Sequence, residues 1–289
     1  MHGMRCRPKL IMVAAVLFSC SRPSVIPTPE PVPTFPPTQP QPSPSRTTKS
    51  EWHLSADPSA HSYKSTTRST IRSTDQPAGR ETSTQSETWF TISTNSLHKP
   101  VLVSGSVDSI RSTSAQDTTR FPAGFTGSFS TGELALKPVS QNVENQCLSR
   151  FESILGEIRP IISTLPIDLR AGDTWSDSLE TRICSGDRIP TTAHITRQYT
   201  LQGSSEIAGR QALAINRSEK TRLDGEGTQG QHQIRVRGEG TATAALLIDA
   251  MSGALLRMEG DQQLRIEIQA SGRTQNFTQS TRQTVDLIR

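Results

Sequence analysis

Residues 264–270 have the sequence Leu-Arg-Ile-Glu-Ile-Gln-Ala, the most regular alternation of apolar and polar side chains in the chain. This period of two is typical of a β-strand with one buried and one solvated face. The turn signals Gly260-Asp261 and Ser271-Gly272 lie on either side of it. The stretch therefore predicts one strand of an antiparallel sheet.

Shorter segments of the same character recur on both sides of this strand. Further turn signals lie at Gly203-Ser204, Asp224-Gly225 and Ser252-Gly253. Strands that follow one another at short intervals, with such turns between them, favour an antiparallel meander over a parallel sheet with crossover helices. The candidate strands are Tyr63–Ser73, Glu87–Ser93, Val101–Ile110, Phe125–Leu136, Leu179–Cys184, Ala193–Gln202, Gln211–Asn216, Gln233–Arg237, Thr241–Asp249, Ala254–Glu259 and Gln275–Leu287.

One amphipathic helix interrupts the strands, at about residues 142–159. Pro160 should end it near Arg159. A large sheet and one apolar helix bury their apolar faces together most simply if the sheet curls around the helix. We therefore predict a mainly β domain over residues 61–289, with a curled, half-barrel-like antiparallel sheet and the helix on its concave face. The apolar stripe of the helix consists of Val143, Cys147, Leu148, Phe151, Ile154, Leu155 and Ile158.

The N-terminus has the layout of an export signal. Arg5, Arg7 and Lys9 precede the unbroken apolar run Leu10–Phe18. Nine helical residues cover about 14 Å, which is too short to span a bilayer and typical of a signal peptide. We expect residues 1–19 to be removed.

The end of this segment, Leu17-Phe18-Ser19-Cys20, resembles the lipobox of bacterial lipoproteins. The resemblance implies that Cys20 is acylated and becomes the first residue of the mature chain. It also implies a cell-envelope location, and Ser21, which is not acidic, favours the outer membrane, with the domain in the periplasm or at the cell surface. The alternatives are an ordinary secretory signal cut elsewhere and an N-terminal helix without a targeting role.

A proline-rich tether follows Cys20. Ten of the 19 prolines lie between Pro23 and Pro44, where they prevent helix and sheet ladders and favour polyproline II. At about 3.1 Å per residue this stretch could hold a domain up to roughly 70 Å from its anchor. We predict a disordered tether over residues 20–60.

Charge argues against a nucleic-acid partner. The chain has 31 basic and 27 acidic side chains. Loss of the signal peptide removes three basic residues and leaves one net positive charge, which is not the basic footprint of a nucleic-acid binder. The low mean hydropathy of -0.48 and the single short apolar run exclude a multi-span membrane protein.

Cys147 and Cys184 lie in the predicted domain and have no zinc-type spacing. They can be two buried thiols, or one disulfide if the compartment is oxidising. The envelope location implied by the lipobox favours the disulfide.

The sequence contains no recognisable catalytic motif, and we predict neither a metal nor a cofactor. No two of the six histidines are spaced for a local metal pair. His194 and His232 fall on predicted strands and could meet in space. Asp168, Asp173, Asp177 and Glu180 gather around Trp175, which suits either a calcium or carboxylate site or a capped turn with a packed tryptophan.

The predicted architecture, with its lipid anchor and its size, loosely resembles the half-barrel of periplasmic lipoprotein carriers and receptors. The resemblance implies an apolar ligand inside the sheet. Our first hypothesis is a non-catalytic envelope protein that binds an apolar ligand or another envelope protein. The alternatives are a structural or assembly lipoprotein without a ligand, and an envelope hydrolase.

Overall fold

The computed structural model describes residues 51–75, 81–113, 121–139, 150–185 and 189–288. These residues form thirteen strands, one α-helix and a 3-10 turn, Arg159–Ile161. The elements are β1 Glu51–His53, β2 His61–Ser73, β3 Glu81–Thr94, β4 Val101–Ser112, β5 Ala123–Phe129, β6 Leu134–Pro138, α1 Arg150–Ile158, β7 Asp168–Arg170, β8 Thr174–Ser185, β9 Ile189–Ile207, β10 Arg210–Gln229, β11 His232–Asp249, β12 Leu255–Ala270 and β13 Arg273–Leu287.

Eleven of the strands form one sheet in the order β6-β5-β4-β3-β2-β13-β12-β11-β10-β9-β8. Every neighbouring pair in it is antiparallel. The strands before the helix and those after it are joined where β13 pairs with β2, with Val285 opposite Ser65. The predicted mainly β fold with a curled antiparallel sheet is confirmed.

The sheet is nearly closed, because its two edge strands β6 and β8 meet. Glu133 and Glu180 form an isolated parallel bridge, in which the Glu180 N–H donates to the Gly132 carbonyl at 2.6 Å. Beside it, the Lys99 ammonium donates to the Ser178 carbonyl at 3.3 Å and lies 4.2 Å from the centre of the Phe129 ring. These contacts close the seam at one point.

The core lies inside the curled sheet, where α1 packs against the inner faces of the strands. Phe151, Ile154, Leu155 and Ile158 are buried in one cluster with inward-facing strand residues such as Phe90. The helix ends at Ile158, next to the predicted boundary at Arg159, and Pro160 lies in the 3-10 turn. Its predicted start near residue 142 lies outside the described residues.

The folded part begins earlier than the predicted boundary at residue 61. Strand β1 pairs with β7, and Trp52 and Leu54 are buried. Trp52 and Leu54 cover an open end of the curled sheet, and the burial of their apolar surface there stabilises this arrangement. The Ser55 N–H donates to the carbonyl of Met251, which lies in the β11–β12 turn. We call this end of the sheet, with β1, β7 and that turn, the covered end.

Three predicted turns are continuous strand instead. Gly203-Ser204 lies within β9, Asp224-Gly225 within β10 and Gly260-Asp261 within β12. A Cβ on Gly225 would come within 2.8 Å of the Pro190 carbonyl, so this glycine permits a close approach of two strands. The segment Phe125–Leu136, predicted as one strand, is split into β5 and β6.

Within the described ranges, no helix has the length and apolar character needed to cross a membrane.

Candidate functional site

The interior contains a buried charge network in an otherwise apolar core. Arg197 is 1% exposed, Arg217 5%, and Glu219 and Asp177 are each 8% exposed. The register places them side by side on β8, β9 and β10, because Asp177 lies opposite Arg197 and Arg197 opposite Glu219. A buried charge costs free energy unless it is paired and hydrogen-bonded. The positions of these four side chains are therefore restricted to those in which the charges meet partners.

Glu219 pairs with both arginines through the same oxygen. The Arg217 Nε lies 2.7 Å from Glu219 Oε1, and the Arg197 Nε lies 3.5 Å from it. Burial lowers the pKa of Arg217, and the Glu219 carboxylate opposes this effect. Because arginine keeps its charge in proteins, the network buries two cations next to the Glu219 carboxylate, with Asp177 opposite Arg197.

The remaining donors of the two arginines hold the chain that follows α1. Arg217 Nη1 donates to the Pro160 carbonyl at 2.6 Å, and Arg197 Nη1 donates to the Ile162 carbonyl at 2.8 Å. Pro160 lies in the 3-10 turn that follows α1, and Ile162 comes directly after that turn. The arginines therefore fix the chain after the helix to the sheet.

Asp177 joins the network to an aromatic pair. Its Oδ2 accepts hydrogen bonds from the hydroxyls of Tyr199 and Thr164, each at 3.2 Å. Burial raises the pKa of Tyr199, so its hydroxyl remains a donor. Trp175 stacks on Tyr199 with ring centres 5.1 Å apart, and its indole N–H donates to the Thr164 carbonyl.

A second polar contact holds the helix from the opposite wall. Glu157 Oε1 accepts from Ser86 at 2.7 Å, and Oε2 accepts from Thr88 at 3.0 Å. The Gln283 amide donates to the Glu157 backbone carbonyl and to the Ser65 hydroxyl. Burial raises the pKa of the Glu157 carboxyl, and the hydroxyl donors lower it only in part.

A small cavity lies between the covered end and the chain after α1. Its volume is about 70 Å³, and its lining includes His61, Tyr63, Ile162 and Leu165. A water molecule occupies about 30 Å³ in the liquid. The cavity is therefore too small for a lipid chain.

The structure separates the acidic residues that the sequence placed around Trp175. Asp168 is exposed and bonds His53, Asp173 accepts the Arg170 N–H in a turn, and Glu180 lies 3.3 Å from His194. His232 instead contacts Ser271, so the two strand histidines have different partners. No group of three His, Cys, Asp or Glu side chains in the described ranges could hold a metal ion.

The predicted lipidation and disulfide residues are only partly visible. Cys184 lies on β8 and is disulfide-bonded. Cys147 and Cys20 lie outside the described residues, so the Cys147–Cys184 pairing and the acylation of Cys20 stay predictions.

Sequence reasoning missed the charge network, although β9 carried a signal for it. Ala193, Ile195, Tyr199 and Leu201 share the inward phase of this strand, and Arg197 stands in the same phase. A charged residue in the apolar phase of a strand indicates a buried partner. The partner Glu219 lies on β10, and only the pairing of the two strands identifies it.

Comparison of the chain with protein-family models, with curated proteins and with solved structures gave no match. The functional argument therefore rests on the residues of this chain.

Proposed function

We propose that this protein is a lipid-anchored component of the bacterial cell envelope whose β domain binds another envelope protein without catalysis. The observation that carries the proposal is the filled space between α1 and the surrounding strands. Leu155 and Ile158 of α1 are fully buried there, and the adjoining cavity holds only about 70 Å³. Binding of a large ligand between α1 and the sheet would require the helix to move, whereas binding of a protein at the surface requires no such rearrangement.

The covered end carries apolar side chains that a partner could bury. Met251 is 78% exposed and Ile167 is 39% exposed. Their carbonyls accept hydrogen bonds from the consecutive residues Ser55 and Leu54, so the two side chains flank the same short segment. Exposed apolar surface of this kind supports a protein contact.

The anchor is proposed from Leu17-Phe18-Ser19-Cys20. One acyl chain binds a membrane only marginally and a second makes the anchoring stable. We therefore expect the mature chain to begin at an acylated Cys20. The test is mass spectrometry of the membrane-extracted protein together with fractionation of Cys20→Ala. Acylated Cys20 and release of the variant support the anchor, and unchanged fractionation of the variant contradicts it.

The binding role is tested separately by native mass spectrometry of the full-length protein purified from membranes in mild detergent. We expect the domain to carry no stoichiometric apolar ligand and to retain a defined protein partner. A Met251→Ser, Ile167→Ser variant should retain less of that partner, and Ile71→Ser is the matched control, because Ile71 is also exposed, at 40%.

Carriage of an apolar ligand is the second candidate. It is favoured by the hydrogen bonds that Arg217 and Gln283 donate to the main-chain carbonyls of Pro160 and Glu157. These bonds can break while the hydrogen bonds between the strands stay intact, so the helix could move without unfolding the sheet. A lipid recovered at one copy per chain in the same native spectra would favour this candidate over protein binding.

A further inference from the structure

An open groove crosses the middle of β9, β10, β11 and β12 on the outer face of the sheet. Its volume is about 560 Å³. Arg197, Tyr199 and Arg217 point into the core, and successive side chains of a strand point to opposite faces, so Gln198 and Ser218 face outward. Every residue that lines the groove belongs to a described part of a strand. The groove is therefore defined by the paired sheet itself.

The shape of the groove follows from the lengths of the side chains across the sheet. One row of residues stands in register from β9 to β13 and consists of Gln198, Ser218, Thr243, Asp261 and Arg282. The short side chains of Ser218 and Thr243 form the floor, and the longer side chains on both sides form the walls. Neighbouring strands lie about 4.8 Å apart, so β9 and β12 are separated by roughly 14 Å.

The side of the groove on β9 and β10 is polar but uncharged. Gln198, Gln202 and Asn216 carry amides there, and Thr200 and Ser218 carry hydroxyls. Amides and hydroxyls both donate and accept hydrogen bonds. Within the described part of the chain, these five side chains have no hydrogen-bond partner, so their donors and acceptors are available to a ligand.

The opposite side of the groove carries charges that are paired with one another. Glu259 bonds Arg257, which also lies 3.3 Å from Asp286. Asp261 lies 3.8 Å from Arg282. Three carboxylates and two guanidiniums leave this side with one net negative charge. The carboxylates of Glu259 and Asp261 can still accept further hydrogen bonds, because each oxygen has two lone pairs.

Three classes of partner do not match this lining. Ala244 and Ala245 are the only apolar residues among the described ones that line the groove, so an acyl chain or an apolar protein anchor would find little contact. The main-chain groups of β9 to β12 already pair within the sheet, so an added strand would find no free edge. The net negative charge opposes a polyanion.

We propose that this groove binds an uncharged glycan chain. Sugar hydroxyls both donate and accept hydrogen bonds, as the amides of Gln198 and Asn216 do, and they donate to the carboxylates of Glu259 and Asp261. The site goes beyond the protein contact at the covered end. It shares no residue with that contact, so retention of a protein partner tests the protein contact alone.

The direct test uses two defined probes, cellotetraose and chitotetraose, which are both uncharged. Isothermal titration calorimetry measures their binding to the full chain in mild detergent. We expect at least one of them to bind, and Gln198→Ala, Asn216→Ala to weaken that binding at least about tenfold. Gln263→Ala is the matched control and should leave the affinity unchanged, because Gln263 is exposed on the outer face of β12 but does not line the groove.

Filling the groove provides a second test that removes no polar wall residue. Ser218→Trp places a large ring on the floor, and tryptophan is well tolerated in strands. Lys220→Trp places the same ring two residues further along β10, on the same face but outside the lining. We expect Ser218→Trp to abolish binding and Lys220→Trp to preserve it.

Three results would overturn the proposal. Failure of both neutral tetramers to bind the unsubstituted chain refutes glycan binding. Equal binding by Ser218→Trp and Lys220→Trp refutes the groove as the site. Binding of the polyanion tetragalacturonate as tightly as the neutral tetramers shows that the lining does not select an uncharged chain.

Discussion

Among the described residues, no cation acts on the half-buried carboxyl group of Glu157. Its described partners are the hydroxyls of Ser86 and Thr88, and burial raises its pKa above the ordinary value of 4.5. The folded protein therefore binds a proton at Glu157 more tightly than the unfolded chain does. The free energy of unfolding consequently falls as the pH rises from about 4.5 through the folded pKa.

Replacement of Glu157 by glutamine should remove this pH dependence. The amide keeps two polar atoms for Ser86 and Thr88 but carries no charge, so Glu157→Gln should be more stable than the unsubstituted protein at neutral pH. Urea unfolding at several pH values measures the difference. The gain should disappear toward pH 4, and a gain that is constant with pH would contradict the assignment.

Glu219 lies in the opposite situation, because two buried guanidiniums depend on it. The Arg197 and Arg217 side chains are 2% and 3% exposed, and both lie within 3.5 Å of the same oxygen. Loss of the carboxylate would leave the two buried cations with Asp177 as their remaining acidic neighbour among the described residues. Breaking a buried ion pair in this way commonly costs about 3–5 kcal/mol.

Glu219→Gln should therefore destabilise the domain by about 3–5 kcal/mol. Glu259→Gln is the matched control, because Glu259 pairs with Arg257 on the exposed face, where an ion pair contributes less than about 1 kcal/mol. Denaturant midpoints of the two variants give the comparison. Similar small losses in both would show that the Glu219 carboxylate does not stabilise the buried network.

At the scale of elements, the two-residue turns set the register of the long hairpins. Ile207 pairs with Arg210, and the residues between them, Ala208 and Gly209, have φ values of 49° and 75°. Positive φ at both central positions defines a type I′ turn, whose twist matches that of the strands. Alanine in the left-handed region is strained, whereas asparagine is tolerated there.

Ala208→Asn should accordingly raise the free energy of unfolding by about 0.5–1 kcal/mol. Ala208→Val is the control with the opposite sign, because a β-branched residue is least compatible with positive φ. Thermal unfolding of both variants against the unsubstituted protein checks the order. Stabilisation by valine would contradict the turn geometry.

The helix is the element that depends most on its surroundings. The described residues of α1, Arg150–Ile158, would not form a stable helix on their own in water. Burial of Phe151 and Leu155 against the sheet stabilises them, and Arg217 and Gln283 donate to main-chain carbonyls at and after the end of the helix.

At the scale of the whole molecule, the predicted Cys147–Cys184 disulfide would join the segment before α1 to the edge strand β8. Closing a loop of this length contributes about 4 kcal/mol in the chain-entropy model. Peptide mapping without reductant should recover the linked pair from envelope material. Cys147→Ala and Cys184→Ala should each lower the stability by a similar amount, and the double variant by no more than either. Two free thiols would contradict the predicted compartment.

Alternation along the chain was enough to predict the fold class, but not the lengths of the strands. The pattern Leu264–Ala270 is part of β12, yet the strand begins at Leu255, beyond the predicted turn at Gly260-Asp261. A glycine in a sequence is compatible with a turn or with a close approach of two strands. At Gly260 the nearest atoms to a Cβ would be those of Ala244 and Thr243 on the neighbouring strand, and only the paired sheet shows this.

The sequence by itself determined the class of the domain, the end of the helix before Pro160 and the expectation of an anchor at Cys20, because periodicity, proline geometry and short motifs are local properties. The tertiary structure decided that Arg197, Glu219 and the Pro160 carbonyl meet, and that β6 and β8 touch at one bridge. Both depend on strand order and on the curl of the sheet. These arise from the simultaneous pairing of residues far apart in the chain, which no local pattern encodes.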